Sequence, residues 1–138
     1  MKLYHYSNAK AILEEGLRCW YKHTDTDIIN DLIYEVCDDY LYRNSCIFFN
    51  FDKRDDGDIV VSVNINDLNK DLLYVADQDL ADGIYSLYYK GKDCTELVKQ
   101  YIDSIVKLED YDNSYENSEV FYIDDVPIEL LNIETIYE

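Results

Sequence analysis

The order in which strand-like and helix-like hydrophobic patterns follow one another constrains the fold of this chain more than any other feature. The order is strand, short helix, long helix, strands, helix and strands, which favours a mixed α+β domain over regular βαβ alternation. A chain of 138 residues, 48% of them apolar, can build one real core, whereas division into two domains would leave pieces too small to bury much. We therefore expect a single domain spanning residues 1–138.

Short segments of apolar and β-branched residues predict the strands. A first strand at residues 2–6 precedes a short helix, which Ser7 or Asn8 can cap and Gly16 can end. Residues 59–65 alternate apolar and polar side chains, as a half-buried strand does. The other predicted strands are residues 46–51, 73–76, 119–123 and 133–137.

Two longer segments have apolar side chains at three- and four-residue spacing, which predicts amphipathic helices. They are residues 24–43 and residues 95–108. Residues 77–92 show no regular period, and residues 109–118 are polar and acidic, so we expect irregular structure there.

The charge balance excludes some partners and favours others. Thirty acidic against 12 basic residues give a formal charge of -18, which repels phosphate backbones, so we expect no direct nucleic-acid ligand. Such a surface attracts basic proteins instead. The sequence contains no run of about 18 apolar residues and no apolar leader, so we expect no membrane contact and a cytoplasmic location.

The sequence lacks the motifs of several common sites. Cys19, Cys37, Cys46 and Cys94 form no CxxC pair, so we expect reduced structural thiols and no metal site. No GxGxxG, Walker loop, nucleophile elbow or HExxH is present, and the chain has only four glycines. A Ser-His-Asp triad stays open, although no serine elbow is recognisable.

The two histidines differ in context. His23 lies in a polar segment and is expected at the surface. His5 lies within the first predicted strand, in the string Leu-Tyr-His-Tyr-Ser-Asn at residues 3–8. A half-buried strand histidine bonded to a backbone carbonyl is the ordinary interpretation. The string is followed, however, by Ile12 and Leu13 and then by Glu-Gly-Leu at residues 15–17.

This opening resembles that of many ADP-ribosyltransferase-fold proteins, and the resemblance continues in order along the chain. The segments at residues 45–49, at 59–65 with 72–75, and at 118–122 with 126–131 look like the family's later strands. The resemblance implies a mixed or antiparallel split sheet with flanking helices, and NAD as the bound substrate.

The resemblance also implies roles for particular residues. His5 would hydrogen-bond the ribose or the nicotinamide amide of NAD, with Tyr6 and Ser7 on the same wall of the site. Glu119 would bond the nicotinamide ribose and stabilise the oxocarbenium-like charge as nicotinamide leaves. Glu116 and Glu129 are its nearest substitutes, and a solvating charge on an edge strand is the alternative interpretation. Aromatic contacts to NAD would come from Tyr88 or Tyr89, which stack on nicotinamide, and from Phe48 or Phe49.

The leading functional hypothesis is therefore an NAD-dependent mono-ADP-ribosyltransferase that modifies a basic protein target, such as a nucleic-acid-binding complex. A phage counter-defence (anti-CRISPR) effector is its most specific form. The alternative is a non-catalytic acidic protein of the same fold, which inhibits a nucleic-acid-binding protein by mimicking nucleic-acid charge. A nucleic-acid acceptor is a third hypothesis, which the charge of -18 opposes.

Overall fold

In the computed structural model of this chain, the described residues are 1–18, 29, 32, 46–53 and 58–136. They form seven strands and three helices, and Ile29 and Leu32 are also helical. The α+β class expected from the sequence is confirmed. In chain order the elements are β1 (Lys2–Ser7), α1 (Ile12–Glu15), β2 (Ile47–Phe49), β3 (Ile59–Asn64), β4 (Leu73–Asp77), α2 (Gln78–Tyr89), α3 (Thr95–Ser104), β5 (Val106–Lys107), β6 (Ser118–Tyr122) and β7 (Asn132–Ile136).

The described strands form two antiparallel sheets. One has the order β1-β3-β7 and the other the order β2-β6-β4-β5. The two sheets meet where Tyr4 of β1 pairs with Asn50, just after β2. Two backbone hydrogen bonds form this bridge, from Tyr4 N to Asn50 O at 2.9 Å and from Asn50 N to Tyr4 O at 2.8 Å. The strands β1 and β2 are therefore neighbours at the point where the two sheets diverge.

A hydrophobic cluster that we call the intersheet core joins the two sheets. Its residues come from every second position of the strands, as the two-residue period of a strand requires. Removal of each fully buried valine or leucine side chain from water is worth about 1.5–3 kcal/mol. This cluster therefore supplies a large part of the favourable free energy of folding. Its strand residues are Leu3, Ile59, Val61 and Val63 on one sheet and Ile47, Phe49, Leu73, Val75, Val120 and Tyr122 on the other.

A second cluster, the helical core, lies between α2, α3 and the opposite face of the four-stranded sheet. In β6, Val120 belongs to the intersheet core and Phe121 to the helical core, so this strand is buried on both faces. Cys46 and Cys94 are buried here and form no disulfide, as expected for structural cysteines. The buried members are Ile29, Cys46, Ala76, Ala81, Ile84, Cys94, Val98, Tyr101 and Phe121.

The helix α2 corrects a prediction, because residues 77–92 were expected to be irregular. Asp77 caps this helix by accepting a hydrogen bond from Asp79 N at 3.0 Å, and Ala81 and Ile84 turn inward three residues apart. Gly83, which weakens a helical pattern in sequence, allows close packing here. A Cβ at this position would lie 2.8 Å from Cδ2 of Leu97 in α3.

Other boundaries follow from local contacts. The helix predicted at residues 95–108 ends at Ser104, because Val106 and Lys107 pair with β4 as strand β5. The strand β3 was expected to be half-buried, yet its residues from Ile59 to Val63 are buried on both faces. The helix predicted at residues 24–43 lies outside the described residues except at positions 29 and 32. No helix within the described ranges is long and apolar enough to cross a membrane.

Candidate functional site

The carboxylate of Glu119 is buried beneath the helices. Glu119 lies on β6, where it pairs with Ala76 of β4 and keeps only 9% of its surface exposed. The Tyr101 hydroxyl in α3 donates a hydrogen bond to its Oε1. Since β6 lies between β2 and β4, Glu119 is not the edge-strand charge of the alternative interpretation. A buried carboxylate needs hydrogen-bond partners, and α3 supplies one of them.

The segment that carries Tyr101 is tied to its surroundings through Ser104. The Ser104 hydroxyl donates to the Tyr101 carbonyl at 2.6 Å and accepts from Asp77 N at 3.1 Å. The Ser104 carbonyl accepts from the Tyr115 hydroxyl at 2.6 Å. Burial raises the pKa of Tyr115, and the negative charges of Asp77 and Asp112 raise it further. The end of α3 therefore connects β4 to the acidic loop before β6.

His5 faces the intersheet core and not the helical core. It lies on β1 opposite Val61, two residues after the buried Leu3. Its Nδ1 is 2.7 Å from the Phe48 carbonyl oxygen, and its ring lies 5.9 Å from that of Phe49 in an edge contact. Because a carbonyl oxygen can only accept, this hydrogen bond requires a proton on Nδ1. The carbonyl partner expected of an ordinary strand histidine is thus present.

The polar groups after His5 organise the chain around the β1–α1 turn. The Tyr6 hydroxyl donates to the Asp52 carbonyl at 2.9 Å. The Ser7 hydroxyl accepts from Ala9 N at 3.0 Å, which fixes the turn before α1. The first contact places Tyr6 beside the segment that follows β2, and the second keeps Ser7 within the turn before α1.

The aromatic candidates are divided between several surroundings. Phe49 lies in the intersheet core, whereas Phe48 packs against Phe121 at 5.2 Å on the helical side. Tyr88 and Tyr89 lie at the end of α2, with 46% and 74% of their surfaces exposed, in an edge contact with each other.

The structure therefore brings His5 together with Phe48 and Phe49, and Glu119 together with Tyr101. The side chains of His5 and Glu119 point to different cores. Of the two possible substitutes for Glu119, Glu116 is exposed in the loop before β6 and Glu129 is exposed in a 3₁₀ turn at Ile128–Leu130.

A small polar cleft, the strand-end groove, lies where β2 ends and β6 begins. Its volume is about 70 Å³. Sites for drug-sized ligands and cofactors usually measure about 300–1,000 Å³, so this groove has room for a single side chain but not for a dinucleotide. Its lining residues are Asn50, Phe51, Asp52, Glu116, Asn117 and Ser118.

Exposed carboxylates line this groove, and an aromatic cluster lies beside it. Phe51 stacks on Tyr111 with ring centroids 6.1 Å apart and planes 5° from parallel, and Tyr111 contacts Tyr115 at 5.2 Å. The residues Asp52 and Glu116 are exposed, and neither forms an ion pair with another described residue. By contrast, the Glu134 carboxylate on β7 pairs with Lys2 at 3.2 Å.

The sequence alone did not predict this groove. The loop at residues 109–118 was interpreted only as polar and acidic, and the aromatic residues within it were the available signal. Pairing of β2 with β6 is what brings residues 50–52 and 116–118 together.

Comparison with known proteins gives no match for this chain, whether with protein-family models, curated proteins or solved structures. Within the part of the chain that the structure describes, no three His, Cys, Asp or Glu residues are grouped so that they could hold a metal ion.

Proposed function

We propose that this chain is an acidic binding protein that docks on a basic surface of a protein partner through the strand-end groove and the adjoining acidic loop. The observation that supports this proposal is the exposed pair of carboxylates, Asp52 and Glu116, which line one groove without a cationic partner among the described residues. Unpaired exposed charges of one sign attract and orient a partner of the opposite sign.

The loop between β5 and β6 extends this negative surface. It contains no lysine or arginine from residue 108 to residue 118, and Glu109, Asp110 and Asp112 are exposed in it. The Asp112 carboxylate accepts from Ser114 N at 3.1 Å, and bonds to Ser114 lower its pKa, so this residue stays ionised. Loop and groove together form a surface of fixed negative charges. Such a surface suits a partner protein with a basic surface that binds nucleic acid.

Salt-dependent binding of a basic peptide tests the proposal. We expect an arginine- and lysine-rich peptide to bind at about 0.1 M salt and to be released near 1 M, where the Debye length falls from about 10 Å to about 3 Å. The double variant Asp52→Asn/Glu116→Gln should weaken binding. Asp67→Asn/Asp71→Asn is the matched control, because it removes the same charge from exposed positions in the turns before β4.

Two outcomes would contradict the proposal. One is the absence of any binding of the basic peptide at low salt. The other is equal weakening in both double variants, which would assign the attraction to net charge and not to this surface.

A second candidate is an NAD-dependent mono-ADP-ribosyltransferase acting on a basic protein. The observation that favours it is the position of β2, which pairs with the Glu119 strand on one side and meets the His5 strand at the Tyr4–Asn50 bridge on the other. Two antiparallel sheets that diverge at β1 and β2 agree with the split sheet that the family resemblance implies. Glu119 and His5 would then be the catalytic residues, although their side chains point to different cores in this structure. The NAD contacts would be Tyr6, Ser7, Phe48, Phe49 and Tyr88 or Tyr89.

In that reaction the bond between nicotinamide and ribose breaks and nicotinamide leaves. Glu119 would stabilise the oxocarbenium-like ribose while a nucleophile of the target forms the new bond to it. The Glu119 carboxylate accepts the Tyr101 hydrogen bond in this structure, so NAD must reach a group that α3 also contacts.

Nicotinamide release from NAD separates the two candidates. The transferase predicts release that depends on a protein target and is lost in Glu119→Gln and reduced in His5→Ala, with Glu96→Gln on the surface of α3 as the matched control. No release, together with salt-sensitive peptide binding, leaves the acidic binding protein. In both cases a nucleic-acid-handling machine is the expected target, and inhibition of a CRISPR nuclease is the assay for the counter-defence form of the hypothesis.

A further inference from the structure

We infer that β7 is a docking edge for a second copy of this chain, so that two copies join β7 against β7, antiparallel, into one continuous sheet. The inference goes beyond the proposed binding of a basic partner. It concerns the edge of the three-stranded sheet that lies across β3 from the Tyr4–Asn50 bridge.

One edge of β7 has no strand beside it among the described residues. The sheet has the order β1-β3-β7, and β7 pairs with β3 along its other edge. No backbone hydrogen bond links Asn132–Ile136 to any described segment other than β3. An edge strand presents a row of backbone N–H and C=O groups that can pair with a further strand. The outer backbone groups of β7 are therefore available to another chain.

Two exposed isoleucines lie on one face of this edge. Ile133 pairs with Val61 of β3, and Ile136 pairs with Ile59. Both partners belong to the intersheet core, and side chains that pair across antiparallel strands lie on the same face of a sheet. The two isoleucines therefore continue the apolar layer of that core beyond its last strand, with 57% and 45% of their surfaces exposed.

A β-bulge places both isoleucines on that face. Residues three apart in a regular strand point to opposite faces, but β7 has one extra residue, Glu134, in its pairing with β3. Glu134 turns to the other face of the sheet. There its carboxylate accepts from the Ser62 hydroxyl at 2.6 Å and pairs with Lys2 at 3.2 Å. The bulged edge is thus held in one conformation before any partner binds.

This edge is complementary to a second copy of itself. When two β7 strands pair about a two-fold axis, Ile133 of each copy can lie opposite Ile136 of the other. The four isoleucines then form one apolar cluster on the face of the intersheet core. In the same register Glu134 lies opposite Thr135, so no like charges are directly opposed.

Local charge also favours a second copy over a basic partner at this edge. Glu134 is the one charged residue of β7, and Lys2 already pairs with it. The edge is therefore locally neutral in a chain whose formal charge is -18, and a basic segment gains little from it. Pairing of two such short strands buries less than the roughly 1,200 Å² at which standard interfaces begin, so the dimer is weak and reversible.

Self-association of the full chain at rising salt concentration tests the inference. Sedimentation equilibrium at high protein concentration should detect a dimer. Its fraction should rise between about 0.1 M and about 1 M salt, because the Debye length falls from about 10 Å to about 3 Å and the repulsion between two acidic chains is screened. A basic peptide on the acidic surface has the opposite salt dependence, so the two proposals are tested separately.

NMR spectroscopy of the same protein locates the interface. We expect the amide signals of Asn132–Ile136 to shift with protein concentration. A mixture of isotope-labelled and unlabelled chains should show contacts between the methyl groups of Ile133 in one copy and Ile136 in the other.

A pair of lysine variants provides the control. Ile133→Lys, at an exposed position, removes both symmetric isoleucine contacts and should weaken dimerisation about three- to tenfold. The added positive charge lowers the repulsion between copies, so net charge does not explain a loss. Asn66→Lys adds the same charge at an exposed position in the turn after β3 and should not weaken dimerisation. Ile133→Val should retain it.

A chain that stays monomeric at high protein and salt concentration would overturn the inference, and so would equal weakening by both lysine variants. Shifts of the β7 amides that a basic peptide causes, without any dependence on protein concentration, would assign the edge to the partner and also overturn it. Failure of the peptide to bind at low salt, with the dimer present at high salt, would refute only the proposed binding function.

Discussion

The Tyr101 hydroxyl in α3 donates its hydrogen bond to Oε1 of Glu119 in β6, across the helical core. Tyr101 is fully buried and Glu119 is nearly so. Water can therefore take the place of either hydrogen-bond partner only if the packing of α3 on the sheet opens. The contact joins two elements that are separated by the acidic loop in sequence. It therefore ties the conformation of that loop, and of the strand-end groove beside it, to the packing of the helix.

Removal of the Tyr101 hydroxyl should destabilise the fold. Tyr101→Phe keeps the ring but leaves a buried carboxylate short of a donor, and we expect a loss of about 1–3 kcal/mol in the free energy of unfolding. The Glu119→Leu variant and the double variant complete a cycle measured by urea denaturation. Because the two groups contact each other, the double variant should lose less than the sum of the single losses. Additive losses would mean that the hydrogen bond contributes nothing to stability.

Gly16 and Gly91 both have a positive φ, of 75° and 69°, but only Gly16 is crowded. A Cβ at Gly16 would lie 2.4 Å from the Val126 carbonyl oxygen, which accepts the Leu17 backbone hydrogen bond, whereas a Cβ at Gly91 meets nothing within 4 Å. Both alanine variants must adopt a positive φ, and Gly16, with ψ of -165°, lies in a region that essentially only glycine adopts. Gly16→Ala must also displace backbone, so its thermal midpoint should fall clearly further. Equal midpoints for the two variants would refute this account.

Local patterns predicted much of the fold, since the period of an apolar stripe depends only on nearby residues. Strands β1, β3, β4, β6 and β7 lie where the sequence placed them, and Gly16 ends α1. The helix α2 was missed because Gly83 and several tyrosines interrupt its pattern. Gly83 instead allows α2 to pack closely on Leu97 of α3. That contact is not visible in a local window.

The candidate site depended still more on long-range contacts. The hydrogen-bond partner of Glu119 is Tyr101 in α3. The strand-end groove forms from two segments that are separated in the sequence by β3, β4, β5 and two helices. Neither arrangement leaves a motif in the sequence. The role of NAD and of its proposed contacts stays a prediction, since it came from resemblance and no comparison tests it.

Acid should weaken the anchoring of β7 through Glu134. The Ser62 hydroxyl, at 2.6 Å, lowers the pKa of this carboxyl below its usual 4.5, and Lys2 lowers it further. A lowered folded-state pKa contributes stability that is present above the unfolded value and is lost as the pH falls through the folded value. Ser62→Ala should flatten this acid limb of the stability curve and raise the pKa of Glu134 measured by NMR. An unchanged pKa would contradict the assignment.

Alkali should loosen the acidic loop through Tyr115. Burial raises the pKa of this phenol above 10, and Asp77 and Asp112 raise it further. A raised folded-state pKa contributes stability that is fully present below the unfolded value, about 10, and is lost as the pH rises through the folded value. Ionisation also removes the proton that the Tyr115 hydroxyl donates to the Ser104 carbonyl. Tyr115→Phe should therefore lower stability near neutral pH and remove part of its loss in alkali.

The aspartate beside Tyr115 provides the control for that pH dependence. Asp112→Asn removes a nearby negative charge but keeps the hydroxyl, so the phenol should titrate at lower pH than in the unaltered chain, with its hydrogen bond to Ser104 intact. Asp67→Asn, an exposed change after β3, should leave the titration unmoved. NMR of the aromatic ring signals follows Tyr115 separately from the other tyrosines. The titration runs from about pH 8 to about pH 12, which brackets a tyrosine pKa of about 10. If Asp67→Asn shifts the titration as far as Asp112→Asn does, the net charge of the chain, and not the geometry of this loop, controls Tyr115.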